Sequence, residues 1–390
     1  MSDQPRPGQA RIILDQNAGP IPAESGPRPA KLDPDLIQHV AEETVRIGQV
    51  PALMGLIVDR DAGTLPLAVG TANLDTGEPA RHDLVGRVGG ATQTLVATAL
   101  LQLVDENELS LDDTIEQHLP GLIPWGDRAT VRHLLNHTAG IEDFQELRRF
   151  KDKNEYLAER WTTFAPSDLI RIAVECGQVA PIGTWYFGFT NFVAVGMIIE
   201  KLTGATVQEE VTRRIIEPLG MRNTFFPTTQ PDIPFRHHAR GYFHLDDGSY
   251  LDVTELNPSL AGAGRSLLSN MPDLITFWQA LVSERSLLSD TQWREMFTFL
   301  PVSDPSPAPD SHDGIQAAQG LGIIRVVHPT GVVSYGSHGA GMHGFDTSVH
   351  VSADGSRAVG GMVNQYIEDE KQGAVLLAYL TAGYCSTSFF

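Results

Sequence analysis

The residues from Ala91 to Asn107 constrain this chain more than any other stretch. Leu95, Val96, Ala99, Leu100, Leu103 and Val104 spread so widely around the helix they predict that almost no face is left for water. A helix of that kind has to be enclosed on several sides, so the fold must be large enough to surround it. With 390 residues, 42% of them hydrophobic, the chain can do this in two or three domains. The helix follows paired glycines in "GRVGGATQTLV", a sequence built to present something at a first turn.

The order of the other segments predicts where that helix lies. Asp33 caps a helix opened by Pro34, with Leu36, Ile37, Val40, Thr44 and Ile47 at helical spacing up to a stop at Gly48. "ALMGLIVDR" and "TLPLAVGTAN" read as a hairpin turning at Asp61 to Gly63. A mostly helical middle follows, and strand-like segments return at "LGIIRVVH", "GVVSYGSHG", "FDTSVHVSADG" and "RAVGGMVNQ" before a last helix at "GAVLLAYLTAGY". The expected class is therefore α+β: an antiparallel sheet flanked by helices and split in sequence (31–90 and 265–390), a mostly helical domain (91–264), and a cleft between them. Residues 1–30, rich in Pro and Gly, read as a loosely ordered arm.

Charge and composition exclude several classes of function. A formal net charge of −20 disfavours a general basic field for nucleic acid or anionic membrane. No stretch reaches the roughly 18 to 20 apolar residues needed to cross a bilayer, and the N-terminus has no secretory apolar core, so a cytoplasmic protein is expected. Cys176 and Cys385 are too few for a disulfide framework or a cysteine metal site, and both read as buried thiols. No metal signature and no cofactor motif is present, and nothing in the sequence fixes an oligomeric state.

Several phrases in order carry a resemblance: "LLQLVDENELSLDDTIEQHLPGL", "TVRHLLNHTAGI" with His137 and Gly140, and "TNFVAVGMIIEKLTG" followed by "IIEPLGMRNTFF". From about Lys31 onward the chain resembles the serine β-lactamase, D-alanyl-D-alanine carboxypeptidase and class C esterase superfamily. The resemblance implies that family's fold. It also implies a Ser-x-x-Lys at the start of the central helix, and alignment on "LLQLVDE" places Gly90 at the serine and Gln93 at the lysine. Thr92 is the nearest hydroxyl, with packing or capping as its plainer role.

The same resemblance puts Phe187 and Phe189 of "WYFGFTNF" at the family's tyrosine and asparagine, with Tyr186 and Asn191 beside them. In "SHGAGMHGF" it puts His338, Gly339 and Ala340 at the third motif, where only His338 keeps its type. His338, with an ordinary pKa of about 6.5, can bind an anion, polarise a carbonyl or carry a proton. His343 and Asp346 follow closely enough to complete an acid–base set. Arg265 stands where the family often has glycine beside the cleft, and its guanidinium suits a carboxylate, oxyanion or enolate, unless it is a surface arginine paired with an acid.

Trp185, Tyr186, Phe187, Phe189 and Phe345 put aromatic surface on the expected cleft walls, which suits a small, largely apolar molecule. Three functions stay open. One is a non-acylating enzyme of cyclase, isomerase or lyase type using His338 and Arg265, another is a non-catalytic ligand-binding or regulatory protein, and the third is a hydrolase with a displaced nucleophile.

Overall fold

Asp33 opens the first helix as its side chain accepts a hydrogen bond from the Leu36 N–H at 3.2 Å, with Pro34 in the first turn. The helix runs to Gly48, and the left-handed residue that ends it is Gln49 (φ 49°), whose N–H returns to the Val45 carbonyl. The computed structural model describes residues 26–144, 157–245, 247–302, 315–337, 341, 343–365 and 370–387. Within them lie helices α1 (Pro34–Gly48), α2 (Ala91–Asp105), α3 (Ile115–His118), α4 (Val131–Leu135), α5 (Pro166–Val174), α6 (Thr190–Thr203), α7 (Val207–Val211), α8 (Gly262–Arg265), α9 (Met271–Trp278), α10 (Asp290–Met296) and α11 (Glu370–Cys385).

The strands are β1 (Ala52–Asp59), β2 (Gly63–Asn73), β3 (Glu78–Pro79), β4 (Gly86–Arg87), β5 (Tyr242–His244), β6 (Tyr250–Asp252), β7 (Leu268–Ser269), β8 (Leu300–Val302), β9 (Gln316–Gln319), β10 (Ile324–Val327), β11 (Val333–Gly336), β12 (Asp346–Ser352) and β13 (Arg357–Val363). Asp59 accepts the N–H groups of Asp61 and Ala62 and turns the chain from β1 into β2. That hairpin then meets the far end of the chain: β1 pairs antiparallel with β13, Leu53 opposite Val363, in a sheet of order β3-β2-β1-β13-β12-β11-β10-β9-β8. The sequence split is thus closed in space along one strand pair.

A buried ion pair crosses that seam. Arg357 Nε donates to Asp59 at 2.7 Å while its Nη1 donates to the Gly383 carbonyl at 2.7 Å, tying β1, β13 and α11 together. Helices α1 and α11 cover one face of the sheet over Leu53, Ile57, Val359 and Val363. Helix α9 covers the other face, on which Met54, Leu56 and Met362 join the larger core around α2. Ala91 to Leu101 of α2 are all buried, as a helix apolar on every side requires.

Of the expected N-terminal arm, residues 1–25 lie outside the described residues, while Ala30 donates to the Tyr384 carbonyl and so holds residues next to α1 against α11. Cys385 is buried as expected. Cys176 is not: it is exposed just beyond α5, where its thiol donates to the Ala173 carbonyl. No described helix is long and apolar enough to cross a membrane.

Candidate active site

The short ladder of β4 with β7 sets the site's geometry. Gly86 pairs with Ser269 and Arg87 with Leu268, and the Val88 N–H donates to Leu267 at 3.0 Å. This brings the start of α2 beside the residues that follow Arg265. Gly89 takes a left-handed φ of 50° and Gly90 is the N-cap of α2, with no side chain to offer. The first N–H groups turn back on the chain, Ala91 to Val88, Thr92 to Gly89 and Gln93 to Gly90. The Thr92 hydroxyl accepts the Leu267 N–H at 3.2 Å and is fully buried, so it serves packing. Gln93 is also fully buried, and neither its Oε1 nor its Nε2 has a hydrogen-bond partner.

The second wall is the loop before α6. The Tyr186 N–H donates to the carbonyl of His137, a non-glycine residue at φ 59°, and fixes the loop on the turn after α4. From there Phe187 stacks near the His137 ring (4.7 Å between centroids) and meets Phe189 edge-on at 4.9 Å. Trp185 lies 6.2 Å from Phe187, and its indole donates to Gln319 at 3.2 Å. The Tyr186 hydroxyl does not stand in water: it donates to the buried carboxylate of Glu142. Asn191 donates to the Gly188 carbonyl at 3.0 Å.

Arg265 ends α8 and is only 3% exposed, which rules out a surface arginine. Its guanidinium carbon lies 4.1 Å from the centre of the Phe189 ring, a cation–π contact. Gly264 allows this approach, because a Cβ there would stand 3.0 Å from the Phe189 carbonyl oxygen. Asp346, the first residue of β12, is buried beside it. Burial pushes the Asp346 pKa up to about 7, against the pull of Arg265 and the Thr347 N–H, and Oδ1 has no hydrogen-bond partner. At the turn before β12, His343 has its Nδ1 buried; burial first, then the positive Arg265 and Arg87, push it down to about 3. Near neutral pH the site therefore holds a neutral imidazole, an arginine cation and a carboxyl poised to titrate.

Not every expected residue belongs to this wall. Phe345 is fully buried in the core: a Cβ on Gly86 or Gly241 would fall 2.8 or 2.5 Å from its ring, so it braces β4 from behind rather than lining the cleft. His338, Gly339 and Ala340 lie outside the described residues. Arg87, whose charge acts on His343, and Glu142, which accepts from Tyr186, adjoin the candidate site and carried no motif in the sequence. Arg87 is fully buried and donates to the carbonyls of Pro231 and Thr254; its one signal was a charge among the glycines of "VGRVGG". Among the described residues no group of three or more His, Cys, Asp or Glu could hold a metal ion.

The β-lactamase family model matches residues 37–381. The chain belongs to the β-lactamase family. The solved structure of a D-stereospecific amidohydrolase from Streptomyces superposes with a TM-score of 0.80 at 32% identity, over 92% of this chain and 100% of that one. Among curated proteins, a putative penicillin-binding protein, PbpX of Bacillus subtilis (strain 168), is 29% identical over 275 residues, 70% of this chain and 60% of PbpX. Esterase EstB of Burkholderia gladioli is 30% identical over 213 residues, 48% of this chain and 51% of EstB. The matched region thus spans half to three-fifths of these curated relatives. Family membership accounts for the antiparallel sheet flanked by helices.

Proposed function

We propose that this chain is a β-lactamase-family protein that has given up acylation and acts in the same cleft on a small, largely apolar molecule, by a reaction of cyclase, isomerase or lyase type. One observation carries the reading: the first turn of α2 offers Gly90 and Gln93, so the place suited to a nucleophile and its base has neither a hydroxyl nor an amine. The nearby hydroxyls do not replace them, since Thr92 is taken up by Leu267 and Tyr186 by Glu142. Arg265, Asp346 and His343 supply what a non-covalent reaction needs: a fixed cation to polarise a carbonyl or enolate, and a carboxyl whose proton is exchangeable near neutral pH. The amidase and esterase names of the relatives describe those proteins; hydrolysis here would require a displaced nucleophile. A purely ligand-holding role is the second reading, favoured by the burial of Gln93 and Arg265.

Native mass spectrometry of the purified chain, followed by extraction, tests the proposal. A small apolar molecule, held without a covalent bond and converted by the wild type but lost or unconverted in Arg265→Ala, is the expected result; one preorganised donor is typically worth about 2.7–4 kcal/mol of barrier, a hundredfold or more in turnover. Release unchanged from both proteins would favour the holding role. Turnover of a D-amino acid amide or an aryl ester at the rates of a competent hydrolase would overturn both.

A further inference from the structure

Strand β2 runs from Gly63 to Asn73 without one charged side chain, near the rim of the sheet. Its inner side is fully used, since β1 pairs with it from Ala52 opposite Gly70 to Asp59 opposite Gly63 without a break. Its outer side is covered by β3 only at Thr71 and Asn73. From Gly63 to Val69 that edge is open, and Thr64, Pro66 and Ala68 are exposed. An open, uncharged edge of this length is a template for another strand, and proteins ordinarily blunt one with charges, with a very short strand or with proline. The opposite rim, β8, is only three residues long. On β2 neither shortness nor charge is available.

The directions of the backbone groups show what is left. The Thr71 N–H donates to the Pro51 carbonyl at 2.8 Å, on the β1 side, whereas the Gly70 carbonyl accepts the Ala80 N–H at 3.0 Å, on the outer side. These directions alternate along a strand, so Leu65, Leu67 and Val69 turn their backbone groups toward β1, and Thr64, Pro66 and Ala68 turn theirs outward. Pro66 therefore stands at the middle of the open stretch in an outward position. There its missing N–H takes nothing from the β1 ladder and leaves the edge with Thr64 and Ala68 as its donors. One residue earlier or later, proline would have broken the pairing with β1 instead.

We infer that the open edge of β2 is a self-pairing surface for a second copy of this chain, and that Pro66 holds it shut. Symmetry and charge select that occupant. Antiparallel pairing of two β2 edges about Pro66 sets Thr64 of each copy opposite Ala68 of the other, so the edge is complementary to itself. Although each copy carries a net charge of −20, the strand itself brings no like charges together. At the centre the two prolines face one another and neither can donate, so both hydrogen bonds of that pair are missing and two carbonyls are left without a donor. Every register that overlaps both prolines meets the same gap.

The test is sedimentation velocity of the full chain, unmodified and as Pro66→Val, Ala68→Lys and the double variant, with hydrogen exchange read at the Thr64 and Ala68 amides. At about 0.15 M salt, where repulsion between copies is screened beyond about 8 Å, Pro66→Val is expected to self-associate about tenfold or more tightly than the unmodified chain. The Thr64 and Ala68 amides, fast to exchange in the unmodified chain, become protected as Pro66→Val associates, and adding Ala68→Lys reverses both effects. Unchanged association in Pro66→Val would overturn the inference, as would a gain that Ala68→Lys leaves intact or that leaves both amides exchanging fast. Pro66→Thr gives the same reading if the valine variant does not fold. Protection of Thr64 and Ala68 in the unmodified chain would also overturn it, because the edge would then be paired despite the proline.

Discussion

Gln93 in α2 and Asp346 in β12 each keep a buried polar atom where a packed interior ordinarily pairs every one. For Asp346 the consequence is a pH dependence of stability with a definite sign. Its folded-state value near 7 lies above the ordinary carboxyl value of about 3.9, so between the two the folded chain binds the proton more tightly than the unfolded chain. Stability from this group is therefore greatest below pH 4 and falls as the pH rises to about 7. Asp346→Asn, which mimics the protonated form, is expected to stabilise the protein on the order of 1–3 kcal/mol at pH 8 and to change little at pH 4, by urea unfolding. A loss of stability at pH 8 would mean that Arg265 needs the carboxylate more than burial penalises it. At this scale the sequence was partly legible. Arg265 stood out as a charge where glycine is usual, and Asp346 as an acid next to a histidine. The pairing of Tyr186 with Glu142 was not visible, because it joins residues 44 apart through the fold of two loops.

Among elements, α2 is the one everything else serves, and its neighbours reach it through glycine. Gly322, in the turn between β9 and β10, has φ 71°; its N–H donates to Leu135 and its carbonyl accepts from Thr94. A Cβ there would lie 2.5 Å from Ala97 Cβ and 3.2 Å from the Phe192 ring. Gly322→Ala is expected to destabilise the chain by about 2–4 kcal/mol, from the left-handed backbone and overpacking together, as a lower urea midpoint with an unchanged slope. A neutral result would mean that α2 and that turn move apart freely. Long, strongly patterned elements were legible in the sequence: α1, α2, the β1–β2 hairpin and β10 to β13 all stand where the periodicity puts them. The β8 and β9 strands and the β5–β6 hairpin were not, since three or four residues such as "QAAQ" carry no period of their own and become strands only through their partners.

The whole molecule joins its two chain ends at β1 and β13, with Asp59, Arg357 and the α11 carbonyl of Gly383 across the seam, and holds the helical insertion against the sheet through β4, β7 and α8. The order of helices and strands in the sequence implied the split, but not the register that brings Arg265 over Phe189, because a few glycines decide it rather than a pattern. At the first turn of α2 the cleft presents Gly90 and Gln93, and the proposed function rests on these two offering neither a hydroxyl nor an amine. The direct measurement is the intact mass of the full chain after incubation with a fluorescent penicillin and, separately, with an activated aryl ester. An unmodified mass with both reagents, at concentrations that label a competent serine enzyme to completion, is what Gly90 and Gln93 predict. A stoichiometric adduct on any residue would contradict it.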